Sequence, residues 1–236
     1  MSKKIYISPS SQTENLYAVG GTNEAAQCRK IALALVDALK RCGFEARTNV
    51  TGGKTMYDRV AESDLWGADA HIPIHSNASN GQVAGFRGFY YNTASEGYPL
   101  VKAIMETLAP VMPGESDAIS AQPQLYEVGG SNAPCAYLEI GFHDNAMEAQ
   151  FIIGHTKEIA EAICEGICKY YGVEYVKEGG EAVFVDVPEN AWYAEALAWA
   201  VEKGIVTGVD ETHFAPNEPC TRAQAVAMLY RLSRLI

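Results

Sequence analysis

The sequence predicts an α/β fold, in which a mixed, mostly parallel central sheet is flanked by helices, followed by a small all-α C-terminal module. Strand-like and helical segments alternate between residues 4 and 171. Residues 70–74 form an apolar run of period two that ends abruptly at Ser76 and Asn77. A charged, glycine-containing segment at 174–181 then separates this pattern from a different one. Alternating strands and helices are typical of a sheet covered by helices on both faces.

Six short segments have the composition of strands. The central one carries His71 and His75 on one face, because side chains alternate along a strand. We expect the strand at 85–91 to lie beside it, and residues 9–23 and 110–123 to form loops. The predicted strands cover residues 4–8, 44–47, 70–75, 85–91, 124–127 and 136–140.

Five segments in the same part of the chain have apolar residues at helical spacing. The first begins near Glu24, after a cap at Thr22 or Asn23, and ends at Gly43; Ser95 is expected to cap the third. The predicted helices cover residues 24–42, 55–66, 95–109, 146–153 and 156–171.

The last part of the chain predicts two further helices after a turn at 186–193. One runs from Ala194 to Lys203 and stops at Gly204, and the other begins at its cap, Thr221. We therefore predict a first domain at 1–173, a linker at 174–182 and a second domain at 183–236.

Composition and charge exclude several classes of partner. Of the 236 residues 48% are apolar, enough for a substantial core, and the net charge of −11 argues against nucleic acid as a partner. No apolar run approaches the roughly 18 residues that a membrane span requires. The first residues lack the apolar region of a secretory signal, which favours release in the manner of an endolysin, or a trimmed chain.

Six cysteines are irregularly spaced, and this does not indicate a disulfide framework. Cys164 and Cys168 lie four residues apart on a predicted helix and could form half of a metal site, although no second pair is present to complete it. Buried thiols are the preferred interpretation.

Three residues are candidates for catalytic chemistry. Glu24 begins the first long helix, His75 ends the central strand, and Glu139 lies in the apolar segment 136–142. Glu24 alone could simply stabilise the helix dipole. Burying the carboxylate of Glu139 costs several kcal/mol unless it has a partner, so it indicates a cation or a catalytic task.

The segments Ile74-His-Ser-Asn-Ala78 and Leu138-Glu-Ile-Gly-Phe-His-Asp-Asn145 resemble the paired signatures of type-3 N-acetylmuramoyl-L-alanine amidases, a family of zinc autolysins and endolysins. The resemblance extends from about residue 4 to 172. It implies hydrolysis of the amide between N-acetylmuramic acid and the L-alanine of the stem peptide. It also implies Zn2+ bound by Glu24 and His75, with Glu139 as the catalytic acid/base.

The sequence departs from this family at one ligand. A histidine usually follows the first strand and completes the metal site, but the corresponding stretch here is Ser8-Pro-Ser-Ser-Gln12. Ser11 or Gln12 falls at that position, and both are weak ligands for zinc. His143 is a candidate third ligand. His71 is expected to be structural, because it lies about 13 Å from His75 along the strand. Gln12 and Asn77 are candidate substrate contacts.

The C-terminal segment resembles a single S-layer homology module, on the basis of Phe184-Val-Asp-Val-Pro188, Gly204–Gly208, Phe214-Ala-Pro216 and Thr221-Arg-Ala-Gln224. Such modules bind secondary cell-wall polysaccharides. Arg222, Asp186 and Trp192 are the candidate glycan-binding residues. Because such modules usually act in threes, we expect this one either to form a homo-oligomer or to bind weakly.

Two functions remain open from the sequence. The first is a peptidoglycan hydrolase acting at the cell wall. The second is a catalytically impaired wall-binding protein that kept the fold but lost the metal with the missing histidine. A peptidase that cleaves within the stem peptide is a third, weaker alternative.

Overall fold

The structure, a computed structural model, describes residues 2–114, 116–177, 184–188, 190–210 and 212–234. It divides into two units, Met1–Tyr175 and Val176–Ile236, which are described separately. Among the described residues, no helix combines the length and apolar character needed to cross a bilayer.

A six-stranded mixed sheet forms the centre of the first unit, with strand order β2-β1-β3-β6-β4-β5. The first four strands in this order are mutually parallel, whereas β4 is antiparallel to β6 and parallel to β5. The fold class predicted from the sequence is confirmed. The strands are β1 (Lys4–Pro9), β2 (Glu45–Thr48), β3 (Ala70–Asn77), β4 (Phe86–Tyr90), β5 (Ser116–Ala121) and β6 (Tyr137–Phe142).

Helices pack on both faces of this sheet. The Asn23 side chain caps the first helix by accepting from Ala26 N at 2.9 Å. One face of the sheet presents residues such as Ile5 and Ile7 to α1, while Tyr6 points the other way and contacts α2 through Trp66. The helices are α1 (Glu24–Arg41), α2 (Met56–Trp66), α3 (Gly97–Leu108), α4 (Tyr126–Gly130), α5 (Ala146–Gly154) and α6 (Thr156–Tyr171).

Three local predictions were wrong. The strand at 85–91 does not lie beside the central strand, because β6 lies between them. Residues 124–127 do not form a strand but lead into α4, and the fifth strand, β5, lies in the predicted loop at 110–123. Ser95 does not cap α3, which has no side-chain cap. The polar segment Ser116–Ala121 carries no apolar alternation, since it pairs with only one neighbour at the edge of the sheet.

The described residues of the second unit form two helices, α7 (Ala194–Glu202) and α8 (Arg222–Leu232). Thr221 and Gln224 form a reciprocal capping box at the start of α8. The core of the second unit is small and is formed by Phe184, Val187, Leu197, Ile205 and Val206. The predicted linker lies largely outside the described residues, and the predicted domain bounds stay predictions.

Candidate active site and metal centre

The pairing of β3 with β6 places the two central site residues side by side. In this parallel ladder Ile74 is in register with Leu138, and His75 with Glu139. Residues in register on adjacent strands point to the same face, so the imidazole and the carboxyl group are neighbours. Leu138 and Ile140, on either side of Glu139, are fully buried, and so is Ile74, which precedes His75.

Glu24 reaches the same histidine from the first turn of α1. Its Oε1 lies 2.9 Å from His75 Nδ1, and its Oε2 accepts from Asn15 Nδ2 at 2.6 Å. Glu24 is completely buried. Burial acts to raise its pKa, but hydrogen bonds with His75 and Asn15 outweigh this and lower the pKa of the carboxyl group. A carboxylate in this position does more than stabilise a helix dipole, because it is desolvated against a histidine.

A second carboxylate, Glu127, contacts the other side of the His75 ring. His75 Nε2 lies 3.4 Å from Glu127 Oε2, and the ring stacks on Tyr137 at 4.7 Å between centroids. Burial acts to lower the pKa of His75, but hydrogen bonds with Glu127 and Glu24 outweigh it and raise the pKa to about 9. In the metal-free protein this histidine is therefore a cation at neutral pH. A metal ion that binds Nδ1 must displace its proton.

Sequence reasoning missed Glu127, which lies in α4. The carboxylate also accepts from Ser8 Oγ and lies 3.2 Å from His71 Nε2. Burial acts to raise its pKa, but the bonds with the two histidines lower the pKa to about 2. The signal that could have identified it is the one used for Glu139: a glutamate within an apolar segment, here Leu125-Tyr-Glu-Val128.

His71 has the environment expected of a structural residue. It is fully buried, stacks on Tyr6 with 5.7 Å between centroids, and contacts Glu127 on the far side from His75. His71 thus helps to hold Glu127, which in turn contacts His75.

Glu139 differs from the other carboxylates because its Oε2 is buried and has no hydrogen-bond partner. Burial has the largest influence on the pKa of Glu139 and raises it, and the negative charge of Glu24 raises it further. The positive charges of His75 and Arg87 lower it, and the resulting pKa is about 7. A pKa near neutrality is what a general acid/base requires at physiological pH. An unpartnered buried acceptor is also a position where a proton, a water molecule or a cation would be stabilised.

Gln12 lies at the position where the sequence departs from the family. Its Nε2 is 3.4 Å from His75 Nδ1, and its Oε1 accepts from Asn15 Nδ2 at 3.1 Å. Two ligands about 2.0–2.1 Å from a tetrahedral ion lie roughly 3.3 Å apart. Glu24 Oε1 and Gln12 Nε2 lie 2.9 Å and 3.4 Å from His75 Nδ1, close to this value. A carboxylate, an imidazole and an amide oxygen are donors that a divalent cation accepts. Among the described residues, Glu24, His75 and Glu139 do not form a group whose ligand atoms all lie within 4.8 Å of one another, so Glu139 fits the role of a proton carrier beside the ion rather than that of a ligand.

His143 is buried but is engaged elsewhere. Its Nδ1 lies 2.9 Å from Ser76 O, and the ring stacks on Tyr17 at 5.6 Å. Within the part of the chain that is described, His143 does not join Glu24 and His75 in a group whose ligand atoms all lie within 4.8 Å. Its role as a ligand stays a prediction. The side chain of Asn77 accepts from Ala78 N at 2.8 Å, at the rim of the site.

The three residues predicted to bind glycan have different environments. Asp186 accepts from the backbone N–H groups of Phe214 and Ala215, which fixes a turn. Trp192 is 94% exposed and makes an edge contact with Tyr193. Arg222 is exposed at the first position of α8.

A mixed sheet carries a buried histidine on one strand and a glutamate in register on the next, a second glutamate contacts that histidine from the first helix, and a small helical module follows in the chain. Residues 5–169 match the family described as N-acetylmuramoyl-L-alanine amidase, and residues 183–226 match the S-layer homology domain. The chain therefore belongs to the N-acetylmuramoyl-L-alanine amidase family and carries an S-layer homology domain. The fold and the family indicate peptidoglycan amidase activity, and this family is generally metal-dependent.

Individual relatives agree with this assignment. The chain is 29% identical over 190 residues to the germination-specific N-acetylmuramoyl-L-alanine amidase of Bacillus subtilis, covering 72% of this chain and 80% of the relative. The catalytic domain of CwlV, an N-acetylmuramoyl-L-alanine amidase from Bacillus (Paenibacillus) polymyxa var. colistinus, has the same fold with a TM-score of 0.67. It is 19% identical, and the match covers 73% of this chain and 99% of that one.

The C-terminal segment has relatives of another kind. It is 48% identical to the surface-layer 125 kDa protein of Lysinibacillus sphaericus over 50 residues, and this stretch is 21% of the chain. The chain spans only 4% of the length of that protein. The similarity is therefore confined to the S-layer homology domain, which suggests association with the cell wall.

Proposed function

We propose that this protein is a zinc-dependent N-acetylmuramoyl-L-alanine amidase that cleaves the amide between N-acetylmuramic acid and the L-alanine of the stem peptide. The observation that carries the proposal is the arrangement of Glu139 beside His75. A half-buried carboxyl group, whose Oε2 atom is buried without a hydrogen-bond partner and whose pKa is about 7, lies in register with a histidine that Glu24 contacts through Nδ1. The family membership supports the same reaction.

Glu24 and His75 would hold the ion, with the Gln12 amide or His143 as the third protein ligand. Bound there, Zn2+ would polarise the scissile carbonyl and lower the pKa of the attacking water. Glu139 would accept a proton from the attacking water on its unpartnered Oε2 and would return it to the leaving amine of L-alanine. Glu127 holds the Nε2 side of His75, which leaves Nδ1 directed at Glu24.

Substrate is held by groups around this centre and in the second unit. Asn77 would contact the peptide or the sugar, and Gln12 would do so where His143 is the third ligand. In the S-layer homology domain, Arg222, Asp186 and Trp192 would bind a secondary cell-wall polysaccharide. The site of action is then the cell wall, outside the cytoplasmic membrane.

One observation favours a second function, a wall-binding protein with impaired catalysis. The stretch Ser8–Gln12 carries no histidine, and a neutral amide is a weaker zinc ligand than an imidazole. In that case the fold and the S-layer homology domain would retain wall binding while turnover would be lost.

The two functions differ in the products released from purified peptidoglycan. The amidase should release stem peptides with a free L-alanine amine, identified by mass spectrometry, and Glu139→Gln should lower the rate by roughly 100-fold or more. Glu106→Gln serves as the matched control, since that carboxylate is exposed and pairs with Lys169. Absence of release by the wild-type protein in the presence of zinc would support the second function, and cleavage within the stem peptide would indicate a peptidase.

A further inference from the structure

Three cysteines that are distant in sequence meet between the C-terminal end of α1 and the middle of α6. The Sγ atoms of Cys42, Cys164 and Cys168 all lie within 4.8 Å of one another, and Cys42 Sγ is 3.7 Å from Cys164 Sγ. All three are buried. Cys42 therefore adds a third sulfur ligand to the pair Cys164 and Cys168, for which the sequence showed no partner.

We propose that Cys42, Cys164 and Cys168 form a second metal site, which binds a thiophilic cation such as Zn2+ through three thiolates. Thiolates about 2.3 Å from one ion lie roughly 3.8 Å apart in tetrahedral geometry and about 4.0 Å apart in trigonal geometry. The observed separation of 3.7 Å matches this spacing, whereas two sulfurs joined in a disulfide lie about 2.05 Å apart. The fourth position of a tetrahedral ion would be taken by water.

The charge around the cluster suits such a site. Three thiolates with a divalent ion carry one net negative charge, and the guanidinium of Arg41 interacts electrostatically with Cys42 and Cys164. Arg41 is held in place by a 2.6 Å ion pair with Glu161. The hydrogen bond with Cys168 and burial raise the pKa of the Cys164 thiol, so a bound ion must displace its proton, and the fixed charge of Arg41 offsets part of that cost.

The cluster is separate from the amidase centre. Glu24 begins α1 and Cys42 caps its other end, so about 27 Å of helix lies between them. The ion would join α1 to α6, two helices that pack against each other in the first unit. The cluster is therefore a structural site. Metal binding there should change the stability of the fold rather than the rate of catalysis.

Titration with Co2+ or Cd2+ tests this proposal directly, because thiolate ligands give a sulfur-to-metal charge-transfer absorption that carboxylate and imidazole ligands do not. The full chain is reduced with a phosphine, stripped of metal and titrated without oxygen. We expect a band that saturates at one equivalent, and a midpoint of thermal unfolding that rises with the ion. Glu24→Gln should leave the band unchanged, which separates this site from the amidase centre.

Two cysteine variants and one control define the ligands. Cys42→Ala and Cys168→Ala should weaken the metal affinity measured from this band by more than about 100-fold. Even groups that only hold a metal ligand in place contribute roughly 10–100-fold to metal affinity. Cys135→Ala is the matched control, because Cys135 is buried but lies outside the cluster. If a variant does not fold, the wild-type titration decides alone. No charge-transfer band in the fully reduced wild-type protein, or an unchanged band in a folded Cys168→Ala variant, would overturn the proposal.

Discussion

Replacing Glu127 by glutamine tests whether the carboxylate beneath His75 organises the site. The substitution keeps the size of the side chain but removes its charge, and it replaces one of the two acceptor oxygens that face His71 and His75 with an NH2 donor. In the metal-free protein the pKa of Glu127 is lowered from 4.5 to about 2. Since each pH unit is worth 1.36 kcal/mol, this change corresponds to about 3 kcal/mol of folding free energy.

The folding free energy lost in Glu127→Gln should depend on pH, and it should become smaller at both low and high pH. A carboxyl group with a lowered pKa stabilises the fold above its unfolded value, and this stabilisation disappears as the pH falls from 4.5 towards 2. A histidine with a raised pKa stabilises the fold below 6.5, and its contribution disappears as the pH rises towards 9. The difference between wild type and Glu127→Gln should therefore be largest near pH 6.

Denaturant unfolding of both chelator-treated proteins at pH 2, 6 and 9 measures this difference. We expect Glu127→Gln to unfold about 3 kcal/mol more easily at pH 6, with a midpoint of thermal unfolding roughly 6–12 °C lower. The two proteins should converge towards pH 2 and pH 9. Glu106→Gln, at an exposed pair, should behave as the wild type throughout. Equal stabilities at pH 6, or a difference that persists unchanged at pH 2, would refute the role of Glu127.

The remaining predictions concern the metal site and the second unit. Gln12→His should raise the affinity for zinc by at least about tenfold in a calorimetric titration, because an imidazole is a stronger ligand than an amide; an unchanged affinity would exclude Gln12 as a ligand position. Arg222→Ala should weaken sedimentation with cell walls while the midpoint of thermal unfolding stays the same, since the side chain is exposed; undiminished binding would contradict its role. Light scattering at high concentration should give the mass of a trimer if the S-layer homology domain associates, and a monomer mass would remove that hypothesis.

The sequence predicted those features that depend on local pattern and on motifs at strand ends. His75 and Glu139 each end or interrupt an apolar strand, and the parallel register of β3 and β6 brings them together as the motifs implied. The neighbour of the central strand was not predictable, because β6 arrives from about 60 residues further along the chain and displaces β4 from that position.

Glu127 and Cys42 were missed as partners for a related reason. Glu127 lies on the five-residue helix α4, which is too short to give a helical period in the sequence. Cys42 meets Cys164 across 122 residues, a contact set by the packing of α1 against α6 rather than by any local pattern. Both contacts depend on the tertiary arrangement. The residues that they join, His75 in one case and the pair Cys164 and Cys168 in the other, could be identified from the sequence.

Zinc content measured together with amidase activity tests whether Glu24 and His75 hold a catalytic zinc ion beside Glu139. We expect His75→Ala to bind one zinc ion fewer than the wild type and to be inactive. We expect Glu139→Gln to keep its zinc but to release stem peptides at least about 100-fold more slowly. Equal zinc content in the wild type and His75→Ala, or full activity in Glu139→Gln, would contradict this assignment.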